Sequence, residues 1–277
     1  MRPHELLACV ELALYVGILG PVTFCTFYYL FKRQTAWLYL QAFATAKIAG
    51  PALLIYLYQN SSTSAGVQIA AQILYQIALG PLMSATLSFI NISSTTNDRK
   101  TEPAYSPLAP SNGLSVSSLI LRLVHPIIMV GLVMGIIGGI DRMPDSSTGK
   151  INPDKYDRGA TLSKVSGAMF LIAFAAIMFG VIRLWKYRKS LATVSYYIVT
   201  GMPVILPLLF LRILYSLLNA ANLDISGHTG HTTKFNIMTG SWAIYFIMGF
   251  IPQATIIIIY ASSGVLAYMK GRNGRRL

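Results

Sequence analysis

The chain has 277 residues, of which 54% are hydrophobic and 11% are charged, and its mean hydropathy is +0.57. Soluble domains carry about 25% charged residues, so a chain this poor in charge would be unable to cover a water-facing surface. Lipid must therefore be the solvent for much of it. The net charge of +13 does not indicate nucleic-acid binding, because Lys and Arg concentrate in short connections and in the C-terminal tail.

Seven apolar runs are long enough to cross a bilayer, which takes about 20 helical residues. They predict an all-α bundle, one domain over 1–277, with helices at about 6–31, 36–58, 66–92, 116–140, 160–185, 196–221 and 239–268. The first run exceeds the apolar part of a signal peptide and is expected to be a retained helix. Gly20-Pro21, Gly50-Pro51 and Gly80-Pro81 lie inside the first three runs. In a bundle such pairs indicate kinks or close packing.

Basic residues near the helix ends predict the orientation. With the N-terminus outside, eleven fall on the inner side: Lys32, Arg33, Arg99, Lys100, Lys186, Arg188, Lys189, Lys270, Arg272, Arg275 and Arg276. Six fall on the outer side: Arg2, Arg142, Lys150, Lys155, Arg158 and Lys234. We expect a luminal N-terminus and a cytosolic C-terminus, in a multi-pass protein of the endoplasmic reticulum. Asn60 then heads a glycosylation sequon that faces the lumen, whereas the sequon at Asn91 faces the cytosol.

The sequence has no pattern typical of a metal site or a soluble enzyme. Cys9 and Cys25 both lie in the first apolar run, where they are expected to be small buried hydrophobic residues. His228 and His231 lie in a loop whose nearest acidic residue is Asp224, which is a poor zinc site. No P-loop, G-x-S-x-G or H-E-x-x-H motif is present. We therefore expect no metal and no cofactor.

Polar side chains inside the predicted helices are costly in lipid unless they face the bundle interior. In the predicted orientation, Lys47 lies at the midplane and the others in the outer half: Glu11, Gln68, Gln72, Gln76, Asp141, Arg212, Tyr215, Asn219, Trp242 and Tyr245. We infer a polar cavity between the helices, near the luminal face, in which Glu11 pairs with Lys47 or Arg212. The alternatives are an ion pair that only fixes packing, glutamines that join helices by hydrogen bonds, and an Asp141 in interfacial water.

Short segments spread over nearly the whole chain carry a resemblance. In order, they are Leu6-Leu7-Ala8-Cys9-Val10-Glu11-Leu12, Phe31-Lys32-Arg33-Gln34-Thr35-Ala36-Trp37, Ala46-Lys47-Ile48-Ala49-Gly50, Gly80-Pro81-Leu82, Gly138-Gly139-Ile140-Asp141 and Leu211-Arg212-Ile213-Leu214-Tyr215-Ser216-Leu217. Together they resemble a family of fungal seven-helix membrane proteins that includes the meroterpenoid terpene cyclases of the ascofuranone and macrophorin type. That family usually has Arg where this chain has Lys47, which keeps the charge but loses the bidentate fork.

The resemblance implies a metal-independent terpene cyclase of isomerase type, acting on a lipophilic precursor that reaches the site from the bilayer. Such an enzyme protonates a terminal epoxide or alkene on a farnesyl chain joined to an aromatic head. The reaction needs a protonated carboxylic acid, for which Glu11 and Asp141 are the candidates. It also needs aromatic faces for the carbocations, for which Tyr15, Tyr215, Trp242 and Tyr245 are the candidates. Substrate contacts are expected from these aromatic residues and from Lys47, Gln72, Gln76, Arg212 and Asn219.

Two other functions are compatible with seven helices. A receptor or sensor would couple to partners through its cytosolic loops, which here are short and lack a recognisable coupling motif. A small-solute transporter would show internal repeats and matched broken helices, which the sequence does not display. The oligomeric state is left open by the sequence.

Overall fold

The computed structural model describes residues 3–31, 34–60, 65–101, 115–142, 152–186, 193–221 and 241–273. Its helices are α1 (Pro3–Leu30), α2 (Ala36–Gln59), α3 (Ala65–Ile77), α4 (Leu79–Thr101), α5 (Ser115–Asp141), α6 (Pro153–Lys186), α7 (Thr193–Ala221), α8 (Trp242–Tyr245) and α9 (Ile251–Asn273). A π-helical turn, Phe246–Phe250, joins α8 to α9. These ranges contain no strand, and seven stretches are long and apolar enough to cross a membrane. The predicted all-α, seven-helix fold is confirmed.

The third span, Ile69–Ser94, is built from two helices where the sequence predicts one. The chain forms a turn at Ala78, between α3 and α4. Pro81 has no amide hydrogen to donate to the carbonyl of Ile77, four residues earlier, and its ring crowds that carbonyl. The helix therefore breaks here, whereas Pro21 and Pro51 lie inside the continuous helices α1 and α2.

Helix α1 packs between an antiparallel and a parallel neighbour. Against α2, Glu11 contacts Lys47 and the ring of Tyr15 contacts that of Phe43, so the two helices run in opposite directions. Against the last span, the hydroxyl of Tyr29 donates to the carbonyl oxygen of Gly264 at 3.0 Å, while Glu11 meets α8 near its end. The first and last spans therefore run side by side in the same direction.

Glycines bring α5 and α6 into backbone contact. A Cβ atom added to Gly138 would lie 2.8 Å from the carbonyl oxygen of Gly159, and one added to Gly135 would lie 2.9 Å from Oγ of Ser166. The Ser166 hydroxyl donates to the carbonyl of Gly131 at 2.6 Å. Small residues that allow such an approach are a common device of membrane helix pairs. They hold the end of α5 against the start of α6.

The π-helical turn sets the direction of two aromatic side chains. In a regular helix of 3.6 residues per turn, Tyr245 and Phe250 would point to different sides. The wider turn lets both face α1, where Tyr245 reaches Glu11 and the Phe250 ring contacts that of Tyr15. Pro252, two residues after this turn, supplies no backbone donor, which favours irregular hydrogen bonding at this point.

The surface of the bundle is apolar and its interior carries the charge. Phe27, Ile172 and Ile247 are each more than half exposed, as expected of side chains that face lipid. By contrast, the buried charged side chains among the described residues are Glu11, Lys47 and Arg212. This inversion supports an integral membrane protein whose buried charges lie in the interior of the bundle.

Candidate functional site

Glu11 is the centre of a buried polar cluster built from four helices. Its Oε1 atom lies 3.0 Å from Nζ of Lys47, so of the two partners predicted for Glu11, Lys47 and Arg212, the structure shows Lys47. The Tyr245 hydroxyl contacts both carboxylate oxygens, at 3.1 and 3.0 Å, and the Tyr75 hydroxyl donates to Oε2 at 3.2 Å. The carboxylate thus accepts from side chains of α2, α3 and α8. This arrangement offsets much of the cost of burying its charge.

Aromatic rings form the walls of this cluster. The Lys47 ammonium lies 5.0 Å from the ring centre of Tyr75 and 5.9 Å from that of Tyr245. Tyr215 extends the group, with its ring centre 6.0 Å from that of Tyr245. Tyr15, one helical turn after Glu11 on the same face of α1, is fully buried, and its hydroxyl has no hydrogen-bond partner. Several π-faces and one free hydroxyl therefore surround the ion pair.

Arg212 adds a second buried cation beside the cluster. It is 2% exposed, and its Nη1 atom donates to Oγ of Ser216 at 2.7 Å. Its guanidinium lies 5.3 Å from the ring centre of Tyr215, and its buried Nε atom has no hydrogen-bond partner. The carboxylate of Glu11 is already paired with Lys47. The three buried charges therefore sum to one net positive charge.

A cavity of about 60 Å³ lies between α5, α6 and α7. Its polar lining comes from Arg142, Ser163, Ser166, Arg212, Tyr215, Ser216 and Asn219, and no carboxylate is among the lining residues. A single water needs roughly 10–15 Å³ of such space, so the cavity accommodates a few waters or a small polar group. Because Tyr215 belongs to both features, the cavity adjoins the Glu11 cluster.

Arg142, just after α5, is the second cation of the cavity. Its Nη2 atom donates to the carbonyl oxygen of Ala160 at 3.2 Å, whereas its buried Nε atom has no hydrogen-bond partner. Burial lowers the pKa of Arg142 to about 10, with a smaller opposing effect of Tyr156. It is therefore protonated at neutral pH, and two guanidinium groups line the same small cavity.

Asp141, the other predicted acid, lies apart from Glu11. Its Oδ2 atom pairs with Nε of Arg158 at 2.8 Å, and the Arg158 side chain is 66% exposed. Asp141 is not among the residues that line the cavity. Asp141 therefore ends α5 beside an outward-facing partner, and its own side chain is 12% exposed.

The other predicted site residues have different positions. Asn219 lines the cavity, while Trp242 is 47% exposed at the start of α8 and does not line it. The side chains of Gln72 and Gln76, like that of Gln68, lie outside the described part of the structure. Asn60 is exposed at the end of α2, as a glycosylated residue must be.

Tyr75 and Ser216 are absent from the site predicted from the sequence. Tyr75 follows Gln72 by three residues and so shares a face of α3 with it, which was a usable signal. Ser216 follows Arg212 by four residues on α7, and this spacing was a second signal in the sequence. Among the described residues, no group of three His, Cys, Asp or Glu side chains is placed to hold a metal ion, and Cys9 and Cys25 are unpaired thiols.

The fold and these buried charges define a polytopic membrane protein with a polar interior. The chain belongs to the DUF7702 family, described as a domain of unknown function, whose model matches residues 1–270. The comparisons with curated proteins and with solved structures returned no match.

Proposed function

We propose that this protein is a membrane-embedded terpene cyclase of isomerase type. In this proposal it cyclises an epoxyfarnesyl chain joined to an aromatic head, in the endoplasmic reticulum membrane of a fungus. The observation that carries the proposal is the buried Glu11 carboxyl, enclosed by aromatic rings inside a lipophilic bundle. The resemblance to the fungal meroterpenoid cyclases points to the same reaction.

Glu11 is a better candidate than Asp141 for the acid. Proton-initiated cyclisation requires a donor screened from water and carbocations close to π-faces. Glu11 is fully buried beside Tyr75, Tyr245 and the unpartnered hydroxyl of Tyr15. Asp141 instead pairs with an exposed arginine at the end of a helix.

The reaction is an isomerisation with no net consumption of protons. Lys47 first passes a proton to Glu11 across their 3.0 Å contact, which leaves both side chains neutral. Glu11 then gives this proton to the epoxide oxygen, and the carbon–oxygen bond breaks. The π electrons of the chain then form the new carbon–carbon bonds, and the last carbocation loses a proton to the neutral Lys47 amine, which leaves an alkene. This step restores the Glu11 carboxylate and the Lys47 ammonium, both of which are in hydrogen-bond contact with the Tyr245 hydroxyl.

The size of the cavity constrains how the substrate binds. About 60 Å³ suits a polar head group and is too small for a fifteen-carbon chain. The chain must therefore enter between helices, with the bundle opening around it. Asn219 and Arg212 are then contacts for the head group, whereas Lys47 belongs to the acid rather than to a substrate pocket.

The test is turnover in microsomes that contain the protein and a farnesylated phenol with a terminal epoxide. A product of unchanged mass with a new ring system is expected, and Glu11→Gln should reduce its formation by about 10²-fold or more. Because Glu11→Gln leaves two buried cations, the double variant Glu11→Gln/Lys47→Met is assayed beside it to separate loss of the acid from loss of folding.

Two further variants sharpen this test. Asp157→Asn removes an exposed carboxylate of α6 and is the matched control, which should keep full turnover. Loss of turnover in Asp141→Asn with retention in Glu11→Gln would move the acid to Asp141. No turnover of epoxyfarnesyl phenols by the unmodified protein, when it is folded, would refute the proposal.

A further inference from the structure

The buried charges of the bundle do not balance. Glu11 and Lys47 neutralise each other at 3.0 Å, which leaves Arg212 as an additional cation at 2% exposure. An isolated charge in a low-dielectric interior carries a large desolvation cost, and buried ions are normally paired. Arg212 forms no ion pair within the described residues. The missing partner is therefore an anion.

Unsatisfied donors show where that anion would bind. The Nε atoms of Arg212 and Arg142 are both buried without a hydrogen-bond partner, and both side chains line the same cavity. A guanidinium presents its N–H groups in a planar fork that matches the two oxygens of a carboxylate. Ser163 and Asn219 add a hydroxyl and an amide to the lining. The lining thus offers donors from α6, from α7 and from the residue that follows α5, with no competing carboxylate.

The position of the cavity indicates an amphiphilic ligand. It lies where α5 ends, α6 begins and α7 ends, which is close to one end of the bundle. The negative end of a helix dipole acts only within the last turn of the helix. Arg212 lies more than two turns before the end of α7, so the dipole of α7 does not neutralise its charge. The head group of a molecule whose chain lies among the apolar helices would reach this depth.

We propose that this cavity is an oxyanion site that binds the carboxylate of an aromatic acid carrying a prenyl chain, through Arg212 and Arg142. That this acid is the molecule cyclised rests on the proposed function, whereas the anion site itself does not. A carboxylate fits better than a phosphate ester, because the cavity of about 60 Å³ is small and one negative charge balances Arg212, the buried cation that has no carboxylate partner among the described residues.

The experiment measures binding rather than turnover. Purified protein in phosphatidylcholine nanodiscs is titrated with radiolabelled 3-farnesyl-4-hydroxybenzoic acid and, separately, with its methyl ester. The acid should bind about 10- to 100-fold more tightly than the ester, as expected for charge-assisted hydrogen bonds. Equal affinities for acid and ester would overturn the proposal without recourse to any variant.

Variants locate the site. Arg212→Gln and Arg142→Gln should each remove most of the preference for the acid. Arg183→Gln, which removes an exposed arginine of α6 stacked on Phe179, should keep it. Arg212→Gln relieves an unpaired buried charge, so it should fold, and thermal unfolding checks this. If both Gln variants fold and still prefer the acid, the site is refuted.

Two competitors distinguish sources of the oxyanion. If neither inorganic phosphate at millimolar concentration nor phosphatidic acid in the nanodisc displaces the acid, the carboxylate assignment is supported. Displacement by phosphatidic acid that depends on Arg212 would support the oxyanion site and refute the carboxylate as its ligand. Acid-selective binding without any cyclisation of epoxides would support this site and count against the proposed cyclase. Turnover without any preference for the acid would support the cyclase and refute this site.

Discussion

Removing one member of the Glu11–Lys47 pair should destabilise the protein unequally, depending on which member is removed. The intact centre carries Glu11, Lys47 and Arg212, with a net charge of plus one. Lys47→Met brings the net charge to zero and leaves Glu11 with its two tyrosine donors. Glu11→Gln instead leaves two buried cations and no buried carboxylate. We therefore expect the Glu11 variant to lose more stability.

The magnitude follows from measured costs of breaking buried ion pairs, which are about 3–5 kcal/mol when one partner is removed. We expect Lys47→Met near the lower end of that range, because Tyr75 and Tyr245 still donate to the carboxylate and Arg212 lies nearby. Glu11→Gln should reach the upper end. The double variant Glu11→Gln/Lys47→Met restores the original net charge, so its loss should be smaller than the sum of the two single losses.

Thermal or denaturant unfolding of purified protein in one detergent measures all four species and gives the coupling energy of the pair. A coupling energy below about 0.5 kcal/mol would show that the two residues do not act as a pair. Lys47→Met less stable than Glu11→Gln would refute the charge count, since it would mean that Arg212 already has an anionic partner.

Three further predictions concern the walls, the helix contacts and the orientation of the bundle. Tyr75→Phe removes one donor to a buried carboxylate and should cost about 1–3 kcal/mol in unfolding experiments, whereas Tyr196→Phe on the exposed face of α7 should cost nothing measurable. Gly138→Ala places a Cβ 2.8 Å from the Gly159 carbonyl oxygen and should lower the free energy of unfolding by about 1–3 kcal/mol. Gly17→Ala on α1, where the added Cβ meets open space, should be neutral or stabilising. Equal effects of the two substitutions would refute the close contact. If the N-terminus is luminal, endoglycosidase treatment should increase the electrophoretic mobility of the protein. The substitution Asn60→Gln should abolish that shift, whereas Asn91→Gln should leave it unchanged. A shift that is lost only with Asn91→Gln would show the opposite orientation.

The seven spans, and the pairing of Glu11 with either Lys47 or Arg212, were predictable from the sequence for a simple reason. Long apolar runs have one stable outcome in lipid, and two opposite charges in consecutive helices have few other ways to lower their burial cost. The break at Ala78 was missed because Gly80-Pro81 looks the same as the two Gly-Pro pairs that lie inside unbroken helices. Which proline breaks its helix depends on neighbours that the local sequence does not show.

The side chains that complete the site were harder to predict. When both the lipid and the interior are apolar, hydrophobic periodicity does not reveal how a helix is rotated about its axis. Trp242 was therefore expected inside but is 47% exposed, and Arg142 was counted as a loop cation but lines the cavity. The same ambiguity hid Tyr75, which only the rotation of α3 brings against Glu11.

The order in which the charged helices are synthesised gives the Glu11–Lys47 pair a role before folding is complete. These residues lie in the first two helices, so their charges can cancel as soon as that hairpin enters the bilayer. Arg212 comes much later, on a helix that has no acidic residue of its own, and its insertion costs at most about 2.5–3.5 kcal/mol, the value for an arginine at the centre of a helix. Membrane insertion of α7 should therefore be more sensitive to mutation than that of α1 or α2. Lengthening the apolar run of α7 should improve insertion of the protein more than any change in α1 or α2.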